Sequence, residues 1–158
     1  MGYGLGPASN AAFDGGGDKR SISIIGDGGF WHNGLTSGIG NAVFNKSQGV
    51  TIVVDNGYSA ATGGQHILSS RASNPTRSTN NPIAQAAKGV GVPWVREVSR
   101  TYDVTHMRKL IREAVSDKTS GHKVLVAQSE CMLNRQRREK PLARKAIAQG
   151  QRVTRERF

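Results

Sequence analysis

The chain has 158 residues, 36% of them hydrophobic, and a formal net charge of +11. That length supports one α/β domain with a real core, while the absence of a long apolar run and of a basic, apolar leader excludes a membrane span and a signal peptide, so a cytoplasmic protein is the expectation. The single cysteine, Cys131, excludes an internal disulfide and a protein-only iron–sulfur site, which takes about four thiolates.

Met1 to Phe13 is rich in Gly and Ala and offers small residues where a helix can pack tightly; Asp14 to Asp18 reads as a loop. Ser21 to Ile25 is a short strand whose continuous apolar end suits a parallel sheet. A Gly-rich acidic loop, Gly26-Asp27-Gly28-Gly29, follows it. Leu35, Ile39, Ala42 and Val43 then fall on one face at helical spacing and predict an amphipathic helix over Gly34 to Lys46, with Gly38 and Gly40 lowering its intrinsic propensity. Thr51 to Val54 is a second strand, ending at Asp55 and Asn56. Between Tyr58 and Pro82 lies a long polar stretch, read as an active-site cover ordered by a partner and substrate. Its Arg71 and Arg77 are either solvated or available to a substrate carboxylate or a coenzyme A phosphate.

Further on, Ile83 to Lys88 predicts a short helix and Trp94 to Val98 a strand. Val104, Met107, Leu110, Ile111, Ala114 and Val115 form the apolar stripe of a helix that Asp103 or Thr101 can cap, and Arg108, Lys109 and Arg112 face solvent. His122 to Ala127 is the last strand, and Cys131 beyond it reads as a structural thiol. Residues 132–158 form a basic connector or tail, in part helical, with too few apolar residues for a core of its own. The charge gathers here: residues 1–95 carry six Lys/Arg against four Asp/Glu, and residues 96–158 sixteen against seven. Such a patch attracts nucleic acid, acidic proteins or membrane surfaces, or is simply a solvated face. No aromatic residue interrupts Cys131 to Arg157, so a nucleic-acid-binding module is the weakest of the readings.

The pattern assigns the chain to an α/β class, an open, mostly parallel sheet sandwiched by helices. In such sheets ligands bind outside the carboxyl ends of the strands, where Asp27 and Asn56 both fall. Glycines let backbone approach a phosphate, and a following helix start points N–H groups at it. An aspartate there repels the anion unless a divalent cation lies between them. Mg²⁺ fits, because it takes oxygen ligands and shares them with phosphates. Asp27, Asn56 and the carbonyl of Tyr58 are the expected metal ligands.

Gly26-Asp27-Gly28, with Asn56 following after residues 29–55, resembles the diphosphate and metal motif of thiamine diphosphate enzymes. The closer resemblance is to the 2-oxoacid:ferredoxin oxidoreductases, in particular the indolepyruvate ferredoxin oxidoreductase branch. It rests on Trp31-His32 after the loop, the helix end Asn41 to Lys46, the Asp55-Asn56 pair and the turn Thr62 to Gln65. It is specific over Gly2 to Gln65 and thinner to Cys131. The resemblance implies a thiamine diphosphate domain over residues 1–131. Gly26, Asp27, Gly28, Gly29, Phe30, His32, Asn56, Tyr58, Thr62 and Gln65 would form the cofactor site.

It also implies oxidative decarboxylation of an aromatic 2-oxoacid, transfer of the acyl group to coenzyme A, and electrons passed to ferredoxin through iron–sulfur clusters on a partner or another segment. No acid–base catalyst is expected here: the Glu that activates the aminopyrimidine belongs to a separate pyrimidine-binding domain or subunit. The start on Met1-Gly2 and the lack of room for that domain make a fragment of a longer chain the expectation. A non-oxidative thiamine-dependent decarboxylase or synthase stays open. So do a type I′ hairpin at Asn56-Gly57 and a dinucleotide fingerprint with Asp55 on a ribose, although the third glycine of that fingerprint falls on Trp31.

Overall fold

The computed structural model describes residues 5–13, 20–71 and 73–153. The expected loop at Asp14 to Asp18 lies outside these residues, as do Gly2 and Gly4. Four parallel strands form one sheet in the order β1-β2-β4-β3: β1 (Ile22–Gly26), β2 (Val50–Asp55), β3 (Trp94–Val98) and β4 (Lys123–Gln128). The two central strands, β2 and β4, are buried on both faces, which is why they read as near-continuous Val/Ile/Leu runs. With β2 paired in parallel on both sides, Asn56-Gly57 is not a hairpin turn.

Helices cover both faces. On one, α2 (residues 27–44) and α3 (Ile83–Gly89) pack Phe30, Ile39, Ile83 and Ala87 against Ile25, Val53, Val124 and Val126. Phe30 and Ile39 are fully buried, each worth on the order of 2 kcal/mol. The short α1 (Leu5–Asn10) brings Gly6 against Ser23 of β1, where an added Cβ would lie 3.0 Å from the serine Cβ. On the other face α4 (Val104–Ser116) sets Leu110 and Ala114 against Val50, Trp94, Val98 and Leu125. Of the two expected caps, Asp103 is the one used: its Oδ1 accepts from the His106 N–H at 3.0 Å.

One expectation needs correction. The acidic glycine run is not a loop: helix begins at Asp27 itself. It is α-helical over Asp27–Gly29, π-helical over Phe30–Gly40 and α-helical again over Asn41–Phe44. The wider π turns suit a stretch whose Gly34 and Gly38 are buried without side chains to crowd a neighbour. The basic C-terminal part, expected to be helical in part, carries α5 (Met132–Ala148), which contains Pro141 and has no buried residue along its length. It leans on the second polar loop through Arg137, whose guanidinium donates to the Gly63 carbonyl at 3.1 Å. Among the described residues no helix is long and apolar enough to cross a membrane.

Candidate functional site

Parallel pairing in register sets the carboxyl ends of β1 and β2 side by side, Gly26 opposite Val54. The residues after those ends form a cradle. Gly26 is extended and leads directly into helix. Asp27, only 2% exposed, sits in the first helical position. Its Oδ1 accepts from the Gly28 N–H at 2.7 Å, and its Oδ2 from the Asn56 and Gly57 N–H groups at 2.9 and 2.7 Å. One carboxylate therefore ties the start of α2 to the end of β2.

Burial outweighs these hydrogen bonds and pushes the Asp27 carboxyl up to about 6, with the neighbouring Asp55 adding to the rise. Asp55 is also buried and also raised, mainly by desolvation, with Arg71 opposing. Two acids thus share a dry corner, a costly arrangement unless a cation joins them. Among the described residues no group of three or more His, Cys, Asp or Glu could hold a metal ion, so carboxylates alone would not enclose one. Amide and carbonyl oxygens would complete the set, which is the donor type Mg²⁺ takes. The first N–H groups of a helix lack intrahelical partners, so that of Gly29 suits an anion beside the cation, whereas the Phe30 N–H donates to the Asp27 carbonyl. The residues present therefore fit a Mg²⁺-bound diphosphate.

The other expected residues divide into two groups. Asn56 lies in the cradle and accepts from the Tyr58 N–H at 3.1 Å through Oδ1, while the Tyr58 ring stands edge-on to His66. Thr62 and Gln65 close the second loop on itself: the Thr62 hydroxyl donates to Gln65 Oε1 at 2.6 Å, and Ser59 pairs with Gln65. Phe30 gives its side chain wholly to the core. His32 is exposed in the second turn of α2.

Several contributors went unmarked in the sequence reading. Ser59 approaches Gly28 so closely that a Cβ there would lie 2.7 Å from its hydroxyl. Ser70 donates to the Gly57 carbonyl at 2.6 Å, and Trp31 donates to the Ser69 hydroxyl at 2.9 Å, so the polar stretch after Tyr58 folds back onto the cradle. Beside it opens a cavity of about 710 Å³ at the carboxyl ends of β2, β3 and β4, with Asp55, Tyr58, Arg71 and Gln128 in its wall and Asn134 and Arg138 of α5 above. Trp31, Asp55, Tyr58 and Arg71 stand out in the sequence on their own; for Ser59, Ser69 and Ser70 the sequence signal is the unusual length of the polar stretch.

Comparison with known proteins gives a family and a fold. Residues 1–127 match the model of the thiamine pyrophosphate enzyme C-terminal TPP-binding domain. The chain is 29% identical over 139 residues to "Indolepyruvate oxidoreductase subunit IorA" of Thermococcus kodakarensis, covering 84% of this chain and 21% of that protein. The corresponding subunit of Pyrococcus abyssi is 30% identical over 119 residues, 75% of this chain and 18% of that one. The chain thus spans about a fifth of the length of these relatives. Among solved structures, the Rhodococcus jostii RHA1 thiamine diphosphate-dependent 4-hydroxybenzoylformate decarboxylase superposes with a TM-score of 0.57 at 20% identity, over 82% of this chain and 23% of that one. A putative thiamin diphosphate-dependent enzyme from Mycobacterium smegmatis gives 0.53 at 21% identity, over 79% and 20%. These two likenesses concern the fold. With its cradle at paired strand ends and the family match running through most of its length, the chain belongs to the thiamine pyrophosphate enzyme family, as a C-terminal TPP-binding domain.

Proposed function

We propose that this chain is the diphosphate-side half of a 2-oxoacid:ferredoxin oxidoreductase of the indolepyruvate type. The observation that carries the cofactor assignment is Asp27: a buried carboxylate at a helix start, bound to the backbone of both strand-end loops. Asp27, the Asn56 amide oxygen and the Tyr58 carbonyl would hold Mg²⁺. The backbone of Gly28, Gly29 and Phe30 would lie against the diphosphate, with the Gly29 N–H as its donor because those of Gly28 and Phe30 already bond to Asp27, and Thr62 and Gln65 would keep the second loop in shape.

Bound thiamine diphosphate would supply the carbanion chemistry that cleaves a 2-oxoacid; the chain's own residues orient it and keep water from its charged end. The names of the IorA relatives support the indolepyruvate branch; the motif resemblance adds an aromatic 2-oxoacid, coenzyme A as acyl acceptor and ferredoxin as electron acceptor to this reading. The Glu that activates the aminopyrimidine would come from a pyrimidine-binding partner. Residues 132–158 would be a basic connector, a division supported by the end of the family match at residue 127.

Isothermal calorimetry with thiamine diphosphate, with and without Mg²⁺, tests the assignment. Metal-dependent binding is expected, weak for the chain alone, and lost in Asp27→Ala. Turnover is expected only after a pyrimidine-binding partner is added, coupled to reduction of an electron-accepting dye. Decarboxylation without dye reduction would instead identify a non-oxidative thiamine enzyme, and decarboxylation by the pure chain would sink the half-site reading.

A further inference from the structure

The cavity beside the cradle holds a feature that metal and diphosphate binding do not use. Arg71 reaches it from the loop after β2, and its Nη2 donates to Gln128 Oε1 at 3.2 Å. The Gln128 amide nitrogen in turn donates to Glu97 Oε1 at 3.2 Å. Gln128 is the last residue of β4, in register with Asp55 of β2, and Glu97 lies on β3. Two neighbouring strands and the loop after β2 therefore supply a row beside the cavity, in which Glu97 takes the amide nitrogen and turns the amide oxygen towards Arg71.

The other two arginines at the cavity are engaged differently. Arg138 is bound to the Glu130 carboxylate at 2.6 Å, and Arg137 donates to the Gly63 carbonyl. The hydrogen bond of Arg71 goes to a neutral oxygen, which leaves most of a guanidinium's five N–H donors for another partner. A planar guanidinium held at its edge suits a carboxylate or a phosphoryl group, which it can take through two parallel hydrogen bonds. The charge balance separates these. In the wall Arg71, Arg137 and Arg138 stand against Asp55 and Glu130, and Glu97 sits at the end of the row beside it, so the positive excess is one charge at most. That favours a monoanion over a polyphosphate. The volume of about 710 Å³ falls in the usual range for a small-molecule site, and the cavity shares Asp55, Asn56, Gly57 and Tyr58 with the cradle wall.

We infer that Arg71 is the receptor for the carboxylate of a small organic acid bound next to the cofactor cradle, with Gln128 and Glu97 as its positioning residues. The receptor rests on the cavity geometry alone; only the identification of that acid as a 2-oxoacid substrate rests on the proposed function.

The test uses the full 158-residue chain, uniformly ¹⁵N-labelled, with the Arg71 Nε–H resonance assigned by its loss in Arg71→Gln. Phenylpyruvate is titrated as a carboxylate probe and inorganic phosphate as a competitor for the same chemistry. A saturable shift of the Arg71 signal is expected with phenylpyruvate. Affinity, followed on neighbouring backbone signals, should fall about tenfold in Arg71→Gln, about threefold in Gln128→Leu and not at all in Arg77→Gln. Arg71 and Arg77 are both exposed, so neither substitution threatens the core. An unchanged affinity in Arg71→Gln, or no saturable response of Arg71, overturns the proposal. Phosphate binding at Arg71 as tight as phenylpyruvate overturns the preference for a carboxylate. A parallel Mg²⁺–thiamine diphosphate titration separates the two readings: its failure beside an intact Arg71 response defeats the cofactor assignment and leaves the anion receptor standing.

Discussion

The two ends of the same sheet bury polar groups in opposite ways. At the amino ends of the strands, the Thr51 hydroxyl lies 2.9 Å from the Ser23 hydroxyl and 2.8 Å from His122 Nε2, and all three residues are buried. Next to them Lys123 donates its ammonium protons to the Thr119 carbonyl at 2.7 Å. The Ser23, Thr51 and His122 side chains bond to one another and join β1 and β2 to the entry of β4. At the carboxyl ends, Asp27 and Asp55 are buried as neighbouring acids whose pKa values both rise. Hydrogen bonding joins the strands at the first end, whereas the second end holds two neighbouring buried acids that the proposed cation would bridge. A sheet can hide polarity for stability or hold it ready for a ligand, and the sign of the leftover charge tells the two apart.

The sharpest way to break that contrast is to vary pH and metal together. The Asp27 pKa is raised in the folded chain, to about 6 from 3.8, so the folded state binds the proton more tightly than the unfolded state. Without metal, stability is therefore lowest above pH 6 and recovers as pH falls from about 6 towards 4, by at most about 3 kcal/mol. Saturating Mg²⁺ should raise the denaturation midpoint at neutral pH and flatten this slope. An identical pH profile with and without Mg²⁺ would show that no cation answers the buried charge.

Next in size, Asp27→Ala should weaken Mg²⁺-dependent thiamine diphosphate binding by more than about 100-fold in calorimetry, since losing even an outer partner of a metal ligand costs 10–100-fold. Thr51→Val acts at the opposite end. It should cost about 2 kcal/mol in urea unfolding by stripping Ser23 and His122 of their shared hydroxyl, and leave cofactor affinity unchanged. A change in affinity there would mean that the two ends are coupled.

Gly28→Ala tests the fit between the loops. Its new Cβ meets Ser59 backbone as well as side chain, at 3.1 Å from Cα, so the second loop must shift and affinity should drop about tenfold. The smallest effect is expected from Asp103→Ala, which removes the cap of α4 far from the cradle. It should lower stability by about 1 kcal/mol without touching binding.

The sequence by itself determined the alternation of strands and helices and the two strand-end signals, Gly26-Asp27-Gly28 and Asn56, and it narrowed the cap of α4 to Asp103 or Thr101. These depend on period, propensity and short spacings, which act over a few residues. Only the tertiary structure decided that helix starts at Asp27 and opens into π turns, because neighbouring chain packed on Gly34 and Gly38 is not visible in a single segment. It also decided that Arg71 rather than Arg77 comes to the end of β2, and that α5, which buries nothing of its own, closes over a cavity. The strand order β1-β2-β4-β3 places Gln128 between Asp55 and Glu97. Residues 55, 71, 97 and 128 meet only through that pairing: register across non-consecutive strands is a long-range property, and local sequence carries no trace of it.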